Sequence, residues 1–586
     1  MDILKRIEKL RHWLERNHVE AIIIPSTDPH CGEYVPLHWE VRKWISGFTG
    51  SAGTAVVTAK DAALWTDSRY FIQAKEQLRN SGFILMKERI PETPSIGKWL
   101  SSVLPTGSKV AICGEMFAHQ EKEELANELT NKFTIKSFSD PFNELWDNRP
   151  ELPLNKIYKQ PIDYAGKSIT EKLSAIRKQL KEEQVDHILI CALDEIAWVT
   201  NLRGSDVHCN PVFVSYLLIG LDDATLYINP QKLDNELLND LKNQNITCKN
   251  YEDIFNDLTK LNSIWLDPKS TNQAVYEALK IIPFEKRSPV TFLKSIKNEQ
   301  EIEGFHQAML RDGIALVKFL KWLRPAVEKG NETELSVSNK LEEFRKEQNN
   351  YLGISFDTIA AYGFHGAIVH YEPTKETDIP LKPEGFLLLD SGGQYLDGTT
   401  DVTRTISLGT LSPEMKLDYT LVLKGFIQLG LAKFPEGTCG TQLDILARQF
   451  LWKEGKNYMH GTGHGVGSHL CVHEGPHQIR MNNIPAVLKV GMTVTDEPGL
   501  YLEGRYGIRT ENTLLIVPYI ETEFGSYLQF EHLTLCPIDK EPILTEMLSR
   551  EEIDWLNWYH QTVYDKITPY LNNEEIEWLK EATKAI

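Results

Sequence analysis

The sequence predicts a mixed α/β and α+β protein: two related α/β domains in tandem, followed by a longer α+β domain with a C-terminal extension. A helix-then-strand pattern near the N-terminus returns in the second quarter of the chain. A long helical pattern starts near residue 295, and short strands with glycine turns follow beyond residue 350. At about 150 residues per domain, a chain of 586 residues can hold about four such units.

The repeated pattern in the first half indicates a duplicated α/β domain. In the first copy, apolar residues recur at helical spacing at Ile3, Ile7, Leu10 and Leu14. In the second copy, the same stripe is formed by Leu173, Ile176 and Leu180. Apolar strands follow at 19–24 and 185–190, and each copy continues with a tryptophan, a glycine-containing turn and a strand pair. This shared order favours duplication over a chance similarity of two strand–helix units.

Composition changes indicate the domain boundaries. A stretch rich in proline and asparagine at 148–155 suggests one boundary, and the helical pattern that begins at Lys294 suggests another. We therefore expect a first domain over 1–155, a related domain over 156–295, and a third domain over 296–586 whose C-terminal extension begins at about 526.

The third domain is predicted to start with a helix that runs past Leu323. A second helix is expected at Ser412, a good N-cap, because Pro413 suits the first helical turn. A third is expected at about 441–453. The end of the chain carries aromatic residues at near-helical spacing, which favours packing over an aromatic ligand cage: Trp555, Trp558, Tyr559, Tyr564, Tyr570 and Trp578.

Charge and cysteine content argue against several classes of protein. The 63 basic and 82 acidic residues give a net charge of -19, so we expect no nucleic-acid partner and no membrane partner. The 8 cysteines form no C-x-x-C pair and are too sparse for a disulfide scaffold. The charged N-terminus lacks the apolar core of a signal peptide. These features predict a cytoplasmic protein.

Acidic residues at strand ends are the first chemical signal. An apolar strand ends in Asp390, a glycine-rich turn follows, and extended structure resumes at Asp401. Aspartates joined in this way can face each other across adjacent strands. Such a buried aspartate needs a compensating cation, which can be a metal ion or a basic side chain.

A histidine- and glycine-rich segment is the second signal. It reads His460-Gly461-Thr462-Gly463-His464-Gly465-Val466-Gly467 and is followed by His473. The glycines let the backbone bend tightly and approach a neighbour closely. The segment lacks the Lys-Ser/Thr ending of a phosphate-binding P-loop. The interleaved histidines favour metal binding or acid–base chemistry.

Two further acids, Glu497 and Glu511, also stand beside apolar strands. Together with Asp390, Asp401 and one histidine they form an oxygen-rich ligand set, which suits Mn²⁺, Co²⁺ or Mg²⁺ at least as well as Zn²⁺. Five ligands exceed what a single open ion needs, so two ions that share a water are the economical arrangement. Such a pair lowers the pKa of the water.

These motifs resemble the pita-bread metallopeptidases, and most closely the three-domain cytosolic Xaa-Pro aminopeptidases (aminopeptidase P). The resemblance covers essentially the whole chain, including 46–54, 65–70 and 201–207 in the two front domains. It implies two creatinase-like α/β domains before a pita-bread catalytic domain. It also implies an enzyme that hydrolyses the N-terminal Xaa-Pro bond of peptides, using a hydroxide that bridges two divalent ions.

The resemblance also implies roles for single residues. The ligands would be Asp390, Asp401, His464, Glu497 and Glu511, holding two ions, with Mn²⁺ expected and Co²⁺ or Zn²⁺ as alternatives. Asp401 and Glu511 would bridge both ions, with Asp390 on one side and His464 and Glu497 on the other. Glu497 would in addition carry the proton of the water to the leaving proline nitrogen.

Three histidines and one arginine complete the implied site. His370 would help to form the site for proline, while His460 and His473 would bind substrate groups and stabilise the transition state. Arg509 would be a partner of a carboxylate ligand. The resemblance further implies a homodimer and peptide partners with proline at the second position. The alternatives are a prolidase that splits only Xaa-Pro dipeptides, and a non-catalytic pita-bread binding module.

Overall fold

The structure, a computed structural model, describes residues 2–129 and 132–586. The chain divides into two compact units, one formed by Met1–Gln160 with Lys167–Thr291 and the other by Pro161–Gly166 with Phe292–Ile586. We call them the front unit and the catalytic unit. In the described part of the chain, no helix combines the length and the apolar composition that a membrane span requires.

The first sheet of the front unit has six strands: β1 Ala21–Ile24, β2 Thr54–Thr58, β3 Ala62–Thr66, β4 Ile84–Lys87, β5 Lys109–Cys113 and β6 Thr134–Phe138. Their spatial order is β4-β3-β2-β1-β5-β6. The helices of this segment are α1 Ile3–Arg16, α2 Val41–Ser46, α3 Phe71–Gln77, α4 Ile96–Val103, α5 His119–Leu129 and α6 Phe142–Leu145. On α1, Ile7, Leu10 and Leu14 are buried, as the apolar stripe predicts.

The next segment repeats this design. Its strands are β7 Tyr158–Lys159, β8 His187–Ile190, β9 Leu202–Arg203, β10 Ser215–Gly220, β11 Ala224–Ile228, β12 Ile246–Lys249, β13 Trp265–Leu266 and β14 Phe284–Glu285. Six of them form a sheet in the order β12-β11-β10-β8-β13-β14. The helices that follow α6 are α7 Ile162–Ala165, which belongs to the catalytic unit, α8 Ile169–Glu182, α9 Leu193–Thr200, α10 Asn235–Asn243, α11 Asp253–Leu258, α12 Gln273–Ala278 and α13 Pro289–Ser295, which ends in the catalytic unit.

The two sheets have the same topology. In each, two adjacent pairings are antiparallel, β1-β2 with β2-β3 and β8-β10 with β10-β11, and the other three pairings are parallel. An equal strand order with equal directions is what two copies of one α/β domain would produce. The predicted pair of related α/β domains is therefore confirmed.

The helices of the catalytic unit agree with their sequence signals. They are α14 Glu299–Glu328, α15 Glu334–Lys346, α16 Pro413–Gly430, α17 Gly440–Lys453, α18 Arg550–Ile567 and α19 Asn573–Ala582. Ser412 caps α16 by accepting a hydrogen bond from the backbone N–H of Met415 at 3.2 Å. The predicted starts near 412 and 441 are thus confirmed.

The strands of the catalytic unit are short and lie in several small sheets. They are β15 Tyr351–Ile354, β16 Ile359–Tyr362, β17 Phe386–Ser391, β18 Gly393–Tyr395, β19 Gly398–Thr399, β20 Val402–Ser407, β21 Lys433–Pro435, β22 Gly463–Gly465, β23 Glu474–Ile479, β24 Thr493–Asp496, β25 Gly499–Leu502, β26 Tyr506–Arg509, β27 Asn512–Thr522 and β28 Gly525–His532. The sheets that position the site are β16-β17-β20 and β21-β28-β27-β24, with the hairpins β22-β23 and β25-β26.

The aromatic residues of the C-terminal extension have divided roles. Trp555 and Tyr559 on α18 are buried and stack at 5.2 Å between ring centroids. Trp558 and Tyr570 are exposed by 53% and 59%. The helical spacing therefore predicts packing correctly for one face of α18, whereas the other face meets solvent.

Candidate metal and catalytic site

Three predicted ligands meet at one point of the catalytic unit. Each of Asp401, His464 and Glu511 offers a donor atom, and these atoms all lie within 4.8 Å of one another. Asp401 directly precedes β20, His464 is the middle residue of β22, and Glu511 directly precedes β27. Residues that are far apart in the chain thus become one cluster because three strands bring them to the same place.

The two remaining predicted ligands border this cluster. Asp390 lies on β17 opposite Thr403 of β20, so it is on the strand next to the one that Asp401 begins. The two aspartates therefore stand on adjacent strands as expected, although the connection contains β18 and β19 and is more than a turn. Glu497 follows β24, and its Oε1 is 3.6 Å from Nε2 of His464.

The electrostatics of the cluster favour the binding of cations. Burial raises the pKa of Asp401, and the nearby carboxylates of Asp390 and Glu497 raise it further. Burial likewise raises the pKa of Glu511, to which Asp401 adds. Oδ1 of Asp390 is buried and has no hydrogen-bond partner among the described residues. A donor set of four carboxylates and one imidazole, of which Asp390, Asp401 and Glu511 are buried and His464 and Glu497 partly buried, therefore fits hard divalent ions.

His464 is oriented for this task by its own backbone. Its Nδ1 donates to the carbonyl oxygen of Gly465 at 3.0 Å, which directs Nε2 to the carboxylates. Nε2 is 3.5 Å from Oδ2 of Asp401. The strand that carries it depends on a glycine, because a Cβ at Gly463 would lie 1.9 Å from the carbonyl oxygen of Thr495. Only glycine lets β22 approach β24 this closely.

Arg509 connects the ligands to one another. It is buried, and its Nη2 donates to Oδ2 of Asp390 at 2.6 Å. Its Nε donates to Oγ1 of Thr403 at 3.1 Å, and that hydroxyl donates to Oε2 of Glu511 at 2.7 Å. The predicted contact of Arg509 with a carboxylate is confirmed, and the arginine fixes two of the four acids at once.

The predicted substrate histidines lie around the same cluster. The ring of His473 meets that of His464 edge-on, with 4.4 Å between centroids. Nε2 of His460 is 2.8 Å from the hydroxyl of Tyr501, which in turn accepts from Arg509 at 2.7 Å. His370 follows Val369, whose carbonyl oxygen accepts from Arg509 at 3.4 Å. The structure thus brings all three histidines to the surroundings of Arg509 and His464.

Sequence reasoning missed Thr403 and Tyr501, which join the ligands to the histidines. Thr403 had a usable signal, because alternation along a strand places it on the same face as Asp401. Tyr501 had none, because its hydroxyl reaches His460 and Arg509 only after β25 and β26 have paired. The contacts of Tyr501 are therefore a product of the folded hairpin rather than of a local motif.

A buried acid-and-imidazole cluster flanked by histidines, on strands of an α+β unit, defines a metal-dependent hydrolase. The chain belongs to metallopeptidase family M24, in its Xaa-Pro aminopeptidase branch. Residues 303–518 match that metallopeptidase family, and 526–586 match its C-terminal region. Residues 6–145 and 148–301 each match the creatinase/prolidase N-terminal domain.

Full-length relatives carry this assignment. The chain is 38% identical to aminopeptidase P1 of Arabidopsis thaliana, with 97% of each chain covered. It is 39% identical to Xaa-Pro aminopeptidase 1 of Dictyostelium discoideum, which covers 100% of this chain. The crystal structure of the Caenorhabditis elegans X-prolyl aminopeptidase, described as a cytosolic enzyme with a di-nuclear active site, matches with a TM-score of 0.96 and 33% identity over 100% of both chains.

Dipeptidases of the same fold match only part of the chain. The Xaa-Pro dipeptidase of Bacillus anthracis is 25% identical and covers 64% of this chain, with a TM-score of 0.52. Its own chain is 99% covered, so the additional length belongs to the present protein. Similarity over the full length is thus shared with the C. elegans aminopeptidase and not with this dipeptidase.

Proposed function

We propose that this protein is an Xaa-Pro aminopeptidase, which hydrolyses the peptide bond between an N-terminal residue and a following proline. The observation that carries the proposal is the meeting of Asp401, His464 and Glu511 within 4.8 Å in a chain of this family. Similarity along the whole chain, rather than along the catalytic unit alone, supports the aminopeptidase over a dipeptidase.

The ligand set we propose is Asp390, Asp401, His464, Glu497 and Glu511, holding two divalent ions with Mn²⁺ preferred over Co²⁺ or Zn²⁺. Asp401 and Glu511 would bridge the ions, with Asp390 on one side and His464 and Glu497 on the other. Two divalent ions in this position supply a water of lowered pKa, and hence a nucleophile at neutral pH.

The side chains of this site fit hydrolysis of a tertiary amide. An Xaa-Pro bond is a tertiary amide without an N–H. Like any amide nitrogen, the leaving proline nitrogen must receive a proton, a step that we assign to Glu497. His460 and His473 hold the substrate and stabilise the developing oxyanion. We place the proline ring against His370.

Peptide hydrolysis tests the proposal. The tripeptide Arg-Pro-Pro should be cleaved after its first residue, thorough chelation should abolish the cleavage, and Mn²⁺ should restore it. Cleavage of the dipeptide Arg-Pro together with an intact Arg-Pro-Pro would identify a prolidase instead. Activity that survives thorough chelation would contradict the metal site.

Three coarser features complete the proposal. We assign the front domains to 1–155 and 156–295 and the catalytic domain to 296–586, which is consistent with family matches that end at 145 and begin again at 148 and 303. We propose a cytoplasmic enzyme, as its C. elegans relative is described. We also propose a homodimer, which the mass of the purified protein in light scattering would test.

A further inference from the structure

A buried ion triad lies in the catalytic unit, outside the proposed ligand set. Glu474 accepts from Nζ of Lys294 at 2.8 Å and, through its other oxygen, from Nζ of Lys297. The side chains of Glu474, Lys294 and Lys297 are exposed by only 1%, 2% and 0%. Two ammonium groups thus share one carboxylate away from water.

Stability alone is a poor explanation for such a triad. Burial lowers the pKa of Lys297 against the opposing effect of Glu474, which shows that the charges are desolvated at a cost. Replacing a buried ion triad by apolar residues of similar volume is often neutral or stabilising by about 1–4 kcal/mol. A buried triad that adds little stability can instead fix the place of one chain segment.

The segment that the triad holds carries His473. Glu474 is the next residue and the first of β23, where it pairs opposite Gly465 of β22. Further along β23, Nε2 of His477 donates to the carbonyl oxygen of Thr493 at 2.7 Å. This imidazole is neutral, because burial lowers its pKa to about 4. The strand is therefore tied to β22 and β24, and Glu474 ties its first residue.

The backbone around Lys297 is itself held by hydrogen bonds. The backbone N–H of Lys297 donates to the carbonyl oxygen of Gly491 at 2.9 Å. The following residue, Asn298, caps α14 by accepting from the backbone N–H groups of Gln300 and Glu301 at 3.0 Å each. A carboxylate held between two such lysines restrains the backbone of Glu474, and thereby the backbone of the residue that precedes it.

We propose that Lys294, Glu474 and Lys297 form a positioning triad that holds His473 against the edge of His464 in the arrangement needed for turnover. This inference rests on the proposed function. It makes Glu474 a positioning residue rather than a catalytic one, because its carboxylate faces the lysines and acts through His473.

A double-mutant cycle tests the triad. Glu474→Gln should lower kcat for Arg-Pro-Pro by about 10- to 100-fold, the range seen when an outer partner of a site residue is lost, while KM changes less than about threefold. In a His473→Ala background, the same change should cost less than about threefold, because the residue it positions is gone. Equal losses in both backgrounds would overturn the inference.

A charge-free variant separates positioning from folding. The triple change Lys294→Met, Glu474→Met, Lys297→Met should keep the melting temperature and the bound metal near wild type, since no ion is left unpaired. Its kcat should still fall by at least about 10-fold. Wild-type kcat in this variant would show that the triad only stabilises the fold and would overturn the proposal.

The chain offers a matched control in another buried pair. Glu552 is 1% exposed and accepts from Lys424 at 2.6 Å, and it caps α18. Glu552→Gln should lower the melting temperature without changing kcat, and a loss of kcat like that of Glu474→Gln would also count against positioning.

The wild-type assay distinguishes the two proposals. If the wild-type protein does not hydrolyse Arg-Pro-Pro, the proposed function is refuted. If wild-type turnover is normal and Glu474→Gln has no effect on it, only the triad is refuted.

Discussion

Arg509 organises the candidate site at the scale of one residue. Its three donor nitrogens reach Asp390, Thr403 and Tyr501, at 2.6, 3.1 and 2.7 Å. A guanidinium is planar and always charged, so it can hold three acceptors in fixed directions. Lysine would offer a single nitrogen, which cannot occupy the three separate donor positions.

Arg509→Lys should therefore impair the site although it keeps the charge. We expect kcat for Arg-Pro-Pro to fall by about 10- to 100-fold, together with weaker binding of one ion, measured by metal analysis after dialysis. Arg505→Lys is the control, because Arg505 is half exposed and pairs with Glu414 on the surface. If both substitutions behave alike, the bonds of Arg509 do not matter.

His532 gives the catalytic unit a pH-dependent stability. It is buried beside Trp555, at 5.0 Å between ring centroids, and Nδ2 of Asn512 donates to its Nδ1 at 3.2 Å. Burial lowers its pKa to about 4, with Arg404 lowering it further and Glu531 raising it. Its unfolded pKa is about 6.5, so the unfolded chain binds more protons between these values.

The sign of the effect follows from linkage. The stabilisation by neutral His532 is complete above pH 6.5 and is lost as the pH falls towards 4, with about 2 kcal/mol lost at pH 5. His532→Gln should therefore reduce the decrease in unfolding free energy between pH 7 and pH 5, measured by urea unfolding with tryptophan fluorescence. An unchanged decrease would mean that burial does not lower the pKa of His532.

At the scale of elements, Gly463 on β22 and Gly461 just before this strand differ in the space that a side chain would have. A Cβ at Gly463 would lie 1.9 Å from a backbone oxygen of Thr495, whereas a Cβ at Gly461 would meet its nearest neighbour at 3.6 Å. Gly463→Ala must push β22 away from β24 and carry His464 with it. A shift of about 1 Å at a reacting group can cost about 100-fold in rate.

We therefore expect Gly463→Ala to lose at least about 10-fold in kcat and about 1–3 kcal/mol in stability. Gly461→Ala, two residues earlier in the same segment, should keep kcat within about twofold of wild type and the stability close to wild type. Peptide hydrolysis and thermal melting of the two variants in parallel provide the test. Equal tolerance at both positions would refute the close approach of β22 and β24.

The sequence predicted elements better than their partners. Asp390, Asp401 and Glu511 could be found because each stands beside an apolar strand, a pattern that a short stretch of sequence shows by itself. The triad around Glu474 could not, since Lys294 and Lys297 lie far from it in the chain and only the folded β23 brings them together. Charged residues in a sequence are usually read as solvated, so burial of all three had no local signal.

At the scale of the whole molecule, the duplication of the α/β domain could be predicted from the sequence, because helical and strand periods recur in the same order. The order of the strands in each sheet could not be predicted, because strand pairing depends on contacts between segments distant in the chain. The orders are β4-β3-β2-β1-β5-β6 and β12-β11-β10-β8-β13-β14. The burial of the C-terminal aromatic residues could be predicted only in part. Spacing placed Trp555 and Tyr559 on one helical face, but it could not show that Trp558 meets solvent.

The C-terminal extension should be part of the core of the catalytic unit rather than an appendage. The buried residues of α18 include Trp555, Leu556, Tyr559, Val563 and Ile567, whereas α19 buries Leu579. Full burial of one large apolar side chain contributes about 1.5–3 kcal/mol. Five such residues therefore contribute about 10 kcal/mol, which is comparable with the whole stability of a domain.

Two truncations test this graded contribution. A chain that ends at Leu548 lacks α18 and α19, and its catalytic unit should neither bind metal nor hydrolyse Arg-Pro-Pro. A chain that ends at Leu571 lacks α19 alone and should retain activity with a lower melting temperature. Circular dichroism melting, metal analysis and the peptide assay on both chains give the readout. Hydrolysis by the chain that ends at Leu548 would show that the hydroxyl of Tyr559, which accepts from Arg404 at 2.9 Å, and the apolar face of α18 are dispensable for the site.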